Sequence, residues 1–344
     1  MRKGTNTKKD VLLELPNHQH RVIIPLYIPH ENDYYKEAFQ IFEMCLHSLR
    51  KTASSALVIS VVCNACDANV VKKTSALYET GAIDELVVVR DTIGKLNAIL
   101  KVLRTSQERL ITITDADVLF LNNWEAEVLK VFQSFPKAGV VSPVPLFGNM
   151  KKLTFNIWFD YFFSEKLRFK KVKDPEGMTR FVNSIGWPRL DKRFKDVILT
   201  LNSTDGCTAV VGCNHMTATY KREVFESMPK GNSAYQLGGN SEYDYLDVPV
   251  VKHDGYRLAT HGNYAYHMGN TLEDWMVDTC EGLKDVEKST PATKQLRILK
   301  RRKSAFFLKQ KLMGKIFRNV GVQKWFYRKK GLEKAKLEYF FPKK

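Results

Sequence analysis

No uninterrupted apolar run in these 344 residues approaches the roughly 20 needed for a helix to cross a bilayer, so a helical membrane span is not expected. Cysteine is scarce: six residues, at 45, 63, 66, 207, 213 and 280, too few for a disulfide framework and in keeping with a reduced, cytoplasmic chain. Cys63-Asn-Ala-Cys66 has CxxC spacing, but Cys207 and Cys213 lack the spacing of a second zinc-ribbon pair, and small buried thiols are the simpler reading. The opening MRKGTNTKKDVLLELPN has neither an apolar core nor a small-residue cleavage site, so no secretory signal is expected. Repeats and low-complexity tracts are missing too. Acid is the most unevenly distributed of the scarce features. The whole chain holds 54 Lys/Arg and 37 Asp/Glu, whereas residues 288–344 hold 19 and 2. The remainder therefore carries 35 of each sign (54 − 19 and 37 − 2), and all of the +17 net charge resides in the last sixth. With 44% hydrophobic and 11% aromatic residues, this is a neutral globular body with a cationic tail.

In the first third, short apolar runs alternate with helical periodicities. Strands are expected at Arg21–Tyr27, Ala56–Cys63, Glu85–Arg90 and Leu110–Thr114. Between them, Tyr34–Leu49 places Ala38, Ile41, Phe42, Cys45, Leu46 and Leu49 on one helical face, and further helices are expected over 68–80 and 96–104. Such alternation, with nearly all-apolar strands, predicts an α/β fold with a parallel sheet covered on both faces. Ligands of such sheets bind at the carboxyl ends of strands. A helix is expected over 123–135, β character over 208–220 and a short helix over 221–228. A glycine hinge and an acidic segment follow at 238–247, then a helix to His253. Residues 150–200 are aromatic and basic without clean periodicity.

The segment Arg109–Trp124, RLITITDADVLFLNNW, ends a β-branched strand in Asp115 and Asp117. Side chains two apart on extended backbone share a face, and two carboxylates there repel unless a cation stands between them. Paired carboxylate oxygens at a strand end suit a hard divalent cation, Mn²⁺ or Mg²⁺. A nucleoside diphosphate would explain the metal, which takes up charge as the diphosphate leaves.

With VIIPLY near the start, IGKLNAIL at 93–100 and TDADVLFLNNW, the first 125 residues resemble the family 2 glycosyltransferases of GT-A fold. NSEYDYLDVPVVKHDGYRLAT (240–260) is similar to that family's acidic segment, with Asp244 eleven positions before Gly255-Tyr256. YAYHMGNT (264–271) looks like its late histidine segment. The resemblance implies a GT-A-like, Rossmann-type, mostly parallel sheet flanked by helices, followed by a basic helical tail. The implied division is an N-terminal extension (1–19), a catalytic domain (20–280, its nucleotide-sugar half 20–125 and its acceptor half 126–280) and the tail (281–344). It implies Asp117 and His267 as metal ligands and Asp115 as a metal or ribose ligand. Asp244 would be the general base of an inverting transfer, with Glu242 and Asp247 close enough to compete. Pro25, Tyr27 and Asn64 would line the nucleobase pocket, and Lys95 and Asn97 would approach donor phosphate or ribose. Where the family shows one or two consecutive Asp after the second strand, this chain has Cys63-Asn64-Ala65-Cys66-Asp67, which leaves Asp67 as an alternative base reader.

The function implied is a metal-dependent hexosyl transfer from a nucleotide sugar, UDP-linked by family prevalence, to a glycan or lipid-linked acceptor in surface-polysaccharide synthesis. Two alternatives stand beside it. One is a sugar nucleotidyltransferase, which would want a glycine-rich basic loop after the first strand where YIPHENDYY stands. The other is a non-catalytic polyanion- or membrane-binding protein on a degenerate scaffold. In the tail, Leu308, Leu312 and Ile316 lie four apart with Phe317 and Val320 nearby and lysines on other faces. That pattern fits a helix at an anionic membrane interface, on the inner face of the cell membrane. The alternative is a helix packed on the catalytic body. No nucleic-acid-binding motif accompanies the charge.

Overall fold

The computed structural model describes residues 4, 7–12, 19–187, 189–289 and 292–342. The first third alternates as its periodicity predicts: β1 (His20–Leu26), α1 (Ala38–Thr52), β2 (Leu57–Asn64), α2 (Ala68–Glu79), β3 (Glu85–Val89), α3 (Lys95–Leu103) and β4 (Leu110–Thr114). α1 buries Ile41, Phe42, Cys45, Leu46 and Leu49, the face that their spacing defines. Next come β5 (Val118–Phe120), α4 (Trp124–Ser134), β6 (Ala138–Ser142), α5 (Phe155–Asp160), β7 (Leu167–Lys171), α6 (Pro175–Ser184) and β8 (Val197–Asn202). The chain then forms β9 (Thr208–Val211), β10 (Thr217–Lys221), α7 (Val248–Lys252), β11 (Tyr256–Thr260), β12 (Ala265–His267) and α8 (Asp274–Glu281).

One sheet has the order β3-β2-β1-β4-β10-β6-β11-β9-β8-β7, and β5 pairs with β12 in a separate ribbon. β1, β2, β3 and β4 are mutually parallel, as are β6 and β11, while β10 runs antiparallel to both β4 and β6. The far edge, β9-β8-β7, is antiparallel throughout. Seven of the ten strands thus point one way, and the sheet is mixed rather than wholly parallel. The 208–220 segment is two strands, β9 and β10, broken by a turn through Gly212 at φ 115°. Residues 150–200, which lack periodicity, contribute α5, β7, α6 and β8; β7 and β8 pair antiparallel at the sheet edge, with α6 between them in sequence.

The tail packs on the body. Lys303–Ala305, Phe306–Leu312 and Met313–Phe317 run on as one helical segment with a π-turn at its centre, followed by helices Val320–Lys329 and Lys334–Phe340. Phe317 stacks on Phe155 at 5.8 Å between ring centroids, and Phe326 on Trp158 at 4.9 Å. Lys309 pairs with Asp160 at 2.6 Å and Asp254 at 3.1 Å. Of the tail residues expected on a lipid-facing helix, Phe317 therefore turns inward.

Candidate functional site

A cleft of about 460 Å³ opens beside the carboxyl ends of β1, β2 and β4, within the size range of small-molecule sites. Pro25, Tyr27, Tyr34 and Tyr35 line one side, Asn64, Gly94, Lys95, Asp115 and Asp117 the floor, and Gln236, Leu237, Gly269 and Asn270 the opposite rim. Tyr27, Tyr34 and Tyr35 meet edge to face at 5.0–6.0 Å between centroids, an aromatic wall suited to a planar ring.

The two aspartates are set by strand pairing. Asp115 N donates to Met216 O (2.8 Å), and Asp117 O accepts from Met268 N (2.8 Å). The β5–β12 ribbon aligns His267 with Val118, so His267 Nε2 lies 3.3 Å from Asp117 Oδ2. The other ring nitrogen, Nδ1, is 2.9 Å from Ser184 Oγ at the end of α6. Asp117 Oδ1 is buried without a hydrogen-bond partner, and burial raises this carboxyl above its usual value although His267 pulls the other way. An orphaned carboxylate oxygen beside an imidazole is a donor set with which a divalent cation fits. Among the described residues no three His, Cys, Asp or Glu side chains gather into a ready metal cage; a cation here would need further oxygens from a bound ligand.

Lys95 opens α3 behind Gly94, whose φ is 84°. A Cβ on Gly94 would lie 2.8 Å from the Tyr235 and Gln236 backbone, so only glycine lets the 230s loop close over the helix start, where Lys95 N donates to Gln236 O (2.9 Å). The Lys95 ammonium then pairs with Asp115 at 2.6 Å and Glu242 at 3.1 Å. Burial disfavours its charge, but the two carboxylates outweigh that and hold its pKa above the ordinary lysine value.

Beyond Lys95 the alternation of charge continues inward. Glu242 also meets His215 Nδ1 at 3.1 Å, His215 Nε2 meets Asp247 at 2.7 Å, and Asp247 pairs with the fully buried Arg257. Burial works against the charged forms at each position, yet the paired charges prevail. They bring Glu242 down to about 2, hold Asp247 low and lift His215 to about 9. His215 is therefore an imidazolium at neutral pH, donating from both nitrogens.

A π-turn over Tyr243–Asp247 explains which acids face inward. Its wider repeat brings residues five apart to the same face, so Glu242 and Asp247 both reach His215. Asp244 is exposed; neither it nor Glu242 lines the cleft, and Glu242 reaches it only through Lys95.

Of the residues singled out in the sequence, Pro25, Tyr27, Asn64, Lys95, Asp115 and Asp117 are brought together in the cleft, and His267 joins them through Asp117. Asn64 accepts from Ile93 N at 2.9 Å. Asp67 caps α2, accepting from Asn69 N at 2.8 Å. Asn97 bridges Ile93 O and Ser233 O at 2.8 and 2.9 Å, pinning the 230s loop. Neither Asp67 nor Asn97 lines the cleft. Sequence reasoning missed Tyr34, Tyr35, Gln236, Asn270 and His215. The only signal for His215 was a lone polar Cys-Asn-His between two apolar strands.

No protein-family model matches this chain, and neither does any curated protein. Solved structures do. A mannosyltransferase, PcManGT from Pyrobaculum calidifontis in complex with GDP-Man and Mn2+, is similar at 18% identity and a TM-score of 0.40, over 90% of this chain and 72% of that one. S. aureus TarS is similar at 12% identity and a TM-score of 0.39, over 73% of this chain and 36% of TarS. TarS 1-349 in complex with UDP is similar at 13% and 0.29, over 36% of this chain and 34% of that one.

Proposed function

We propose that the protein is a metal-dependent, inverting glycosyltransferase of GT-A type. It moves a hexose from a nucleoside-diphosphate donor, a UDP-sugar as the first candidate, to a glycan or lipid-linked acceptor. The observation that carries this is the buried, unpartnered Asp117 oxygen beside His267, at the end of β4, in the same cleft as an aromatic wall and a lysine. Asp117 and His267 would hold the divalent cation, with Asp115 oriented by Lys95. When bound, the cation would neutralise charge on the leaving diphosphate. The nucleobase would lie against Tyr27 and Tyr34, with Asn64 at its edge.

For the base we place Glu242 before Asp244. A general base must come within reach of the acceptor hydroxyl, and Glu242 is the acid of the 242–247 segment connected to the cleft, through Lys95, whereas Asp244 lies on the exposed side of the π-turn. While Lys95 and His215 hold it at about 2, Glu242 is a weak proton acceptor. A donor diphosphate that draws the Lys95 ammonium to itself removes one of those clamps, leaving burial to raise the carboxylate's basicity. Donor binding would thus prepare the base.

Thermal stabilisation by UDP, GDP and CMP, each with and without Mn²⁺, tests the donor site on the native chain and on Asp117→Ala. Stabilisation by one nucleotide that needs metal and vanishes in the variant is expected. No shift with any nucleotide, from folded protein, would favour a degenerate scaffold. With the donor in hand, released nucleoside diphosphate rather than pyrophosphate distinguishes transfer from nucleotidyl chemistry. Glu242→Gln should then abolish turnover and Asp244→Asn retain it; the reverse pattern returns the base to Asp244.

A further inference from the structure

The tail segment 303–317 has two unlike faces. Its inward row is Gln310, Gly314 and Phe317, all buried. Gln310 Nε2 donates to Asn156 Oδ1 at 2.9 Å. Gly314 passes so close to α5 that a Cβ would stand 3.1 Å from the Phe155 ring. The Lys309 ammonium, clamped by Asp160 and Asp254, pins the start of the segment. The helix is thus held to the body without using its other side.

The outward side carries Leu308, Leu312 and Ile316 in a row, 41%, 46% and 45% exposed, with Phe307 beside them at 66%. On the next helix Val320 and Trp325 are 53% and 46% exposed, the Trp325 ring lying 5.6 Å from that of Phe162. Lys311, Lys315, Arg318, Arg328 and Lys329 flank it, all exposed. None of the five has a carboxylate partner among the described residues, and residues 288–332 contain no Asp or Glu.

A solvated helix face would carry the cations without a continuous apolar row, and a nucleic acid would neutralise the cations but leave that row in water. An anionic lipid surface satisfies both. Apolar side chains enter below the head groups while lysine and arginine stems reach outward to the phosphates. We propose that this outward face, Phe307 to Ile316 together with the exposed Val320 and Trp325 of the next helix, docks the protein on anionic bilayers as a preformed surface. The proposal stands independently of the function assigned to the cleft.

Flotation of the full chain with phosphatidylcholine vesicles, with and without phosphatidylglycerol, tests it. The wild type should float with the anionic vesicles only. Two variants separate the components: Leu308→Ser with Leu312→Ser and Ile316→Ser, and Lys311→Glu with Lys315→Glu. All five side chains point away from the core, so melting temperature should hold while partitioning falls at least about tenfold in each. A blue shift in emission on anionic vesicles, lost in Trp325→Phe, would place that ring in the interface. Equal flotation by wild type and both variants overturns the proposal, as does failure of the wild type to float. A concentration-dependent dimer broken by the serine variant, without flotation, overturns it in favour of a second copy of this chain.

Discussion

Glu125 is the first residue to perturb, because it ties the start of β1 to the start of α4 just beyond the aspartate pair. Its carboxylate is fully buried and fully occupied. Oε1 takes His20 Nδ1 at 2.6 Å and the Ser55 hydroxyl, and Oε2 takes Ser54 N at 2.8 Å, Ser54 Oγ at 3.0 Å and Ser55 N at 2.9 Å. Burial alone would raise the carboxyl, but His20 and the two serines outweigh it and bring it from 4.5 to about 2. A difference of that size corresponds to about 3 kcal/mol of folding stability. Since the folded-state pKa is depressed, the contribution is whole above 4.5 and is lost as pH falls towards about 2. Glu125→Gln keeps the shape but turns an amide donor towards a ring of donors. Urea unfolding of both proteins across that pH range should show a gap near 3 kcal/mol at neutral pH that narrows in acid. Taking the difference removes the titration of other depressed carboxylates such as Glu108 and Asp160. A gap under about 0.5 kcal/mol at neutral pH, or one that does not change with pH, refutes the account.

Two further perturbations probe the cleft. Gly94→Ala places a methyl 2.8 Å from the Tyr235 and Gln236 backbone at φ 84°, so the 230s loop must lift from α3; a loss of about 1–3 kcal/mol in urea unfolding and weaker nucleotide stabilisation are expected, and wild-type behaviour in both would show that the loop is not held there. His215→Gln removes the imidazolium between Glu242 and Asp247. Because pairing raises this pKa from 6.5 to about 9, its stabilisation is whole below 6.5 and lost as pH rises through about 9. The stability gap between wild type and variant should therefore close in alkali, and one that is flat from neutral to alkaline pH would mean that His215 is held neutral.

The β-branched run ending in Asp115 and Asp117 declares both a strand and its carboxyl end, and parallel pairing with β1 then leaves no other place for those carboxylates than the cleft. Lys95 after Gly94 was singled out only through the resemblance carried by IGKLNAIL, and its pairing with Asp115 and Glu242 came with the fold. The strands from 167 to 202 were not legible, because β7 is only five residues long, β8 is apolar and buried through its middle so that it shows no two-residue alternation, and the two pair across the intervening α6. Asp244 and Glu242 illustrate a different limit. Ordinary helical periodicity cannot anticipate a π-turn, and that one added residue per turn decides which acid faces His215.

The sequence by itself determined the α/β class, the aspartate pair at a strand end and the location of the net positive charge in the tail. These are written in short-range patterns, where residue spacing and strand or helix period act together. Only the tertiary structure decided that His215, Glu242 and Asp247 form one chain of charges reaching from the cleft to Arg257, and that the tail keeps one face on the body and turns the other outward. Those outcomes depend on contacts between residues far apart in sequence, such as Lys95 with Glu242 and Lys309 with Asp160, which exist only once the sheet has set the distance between them.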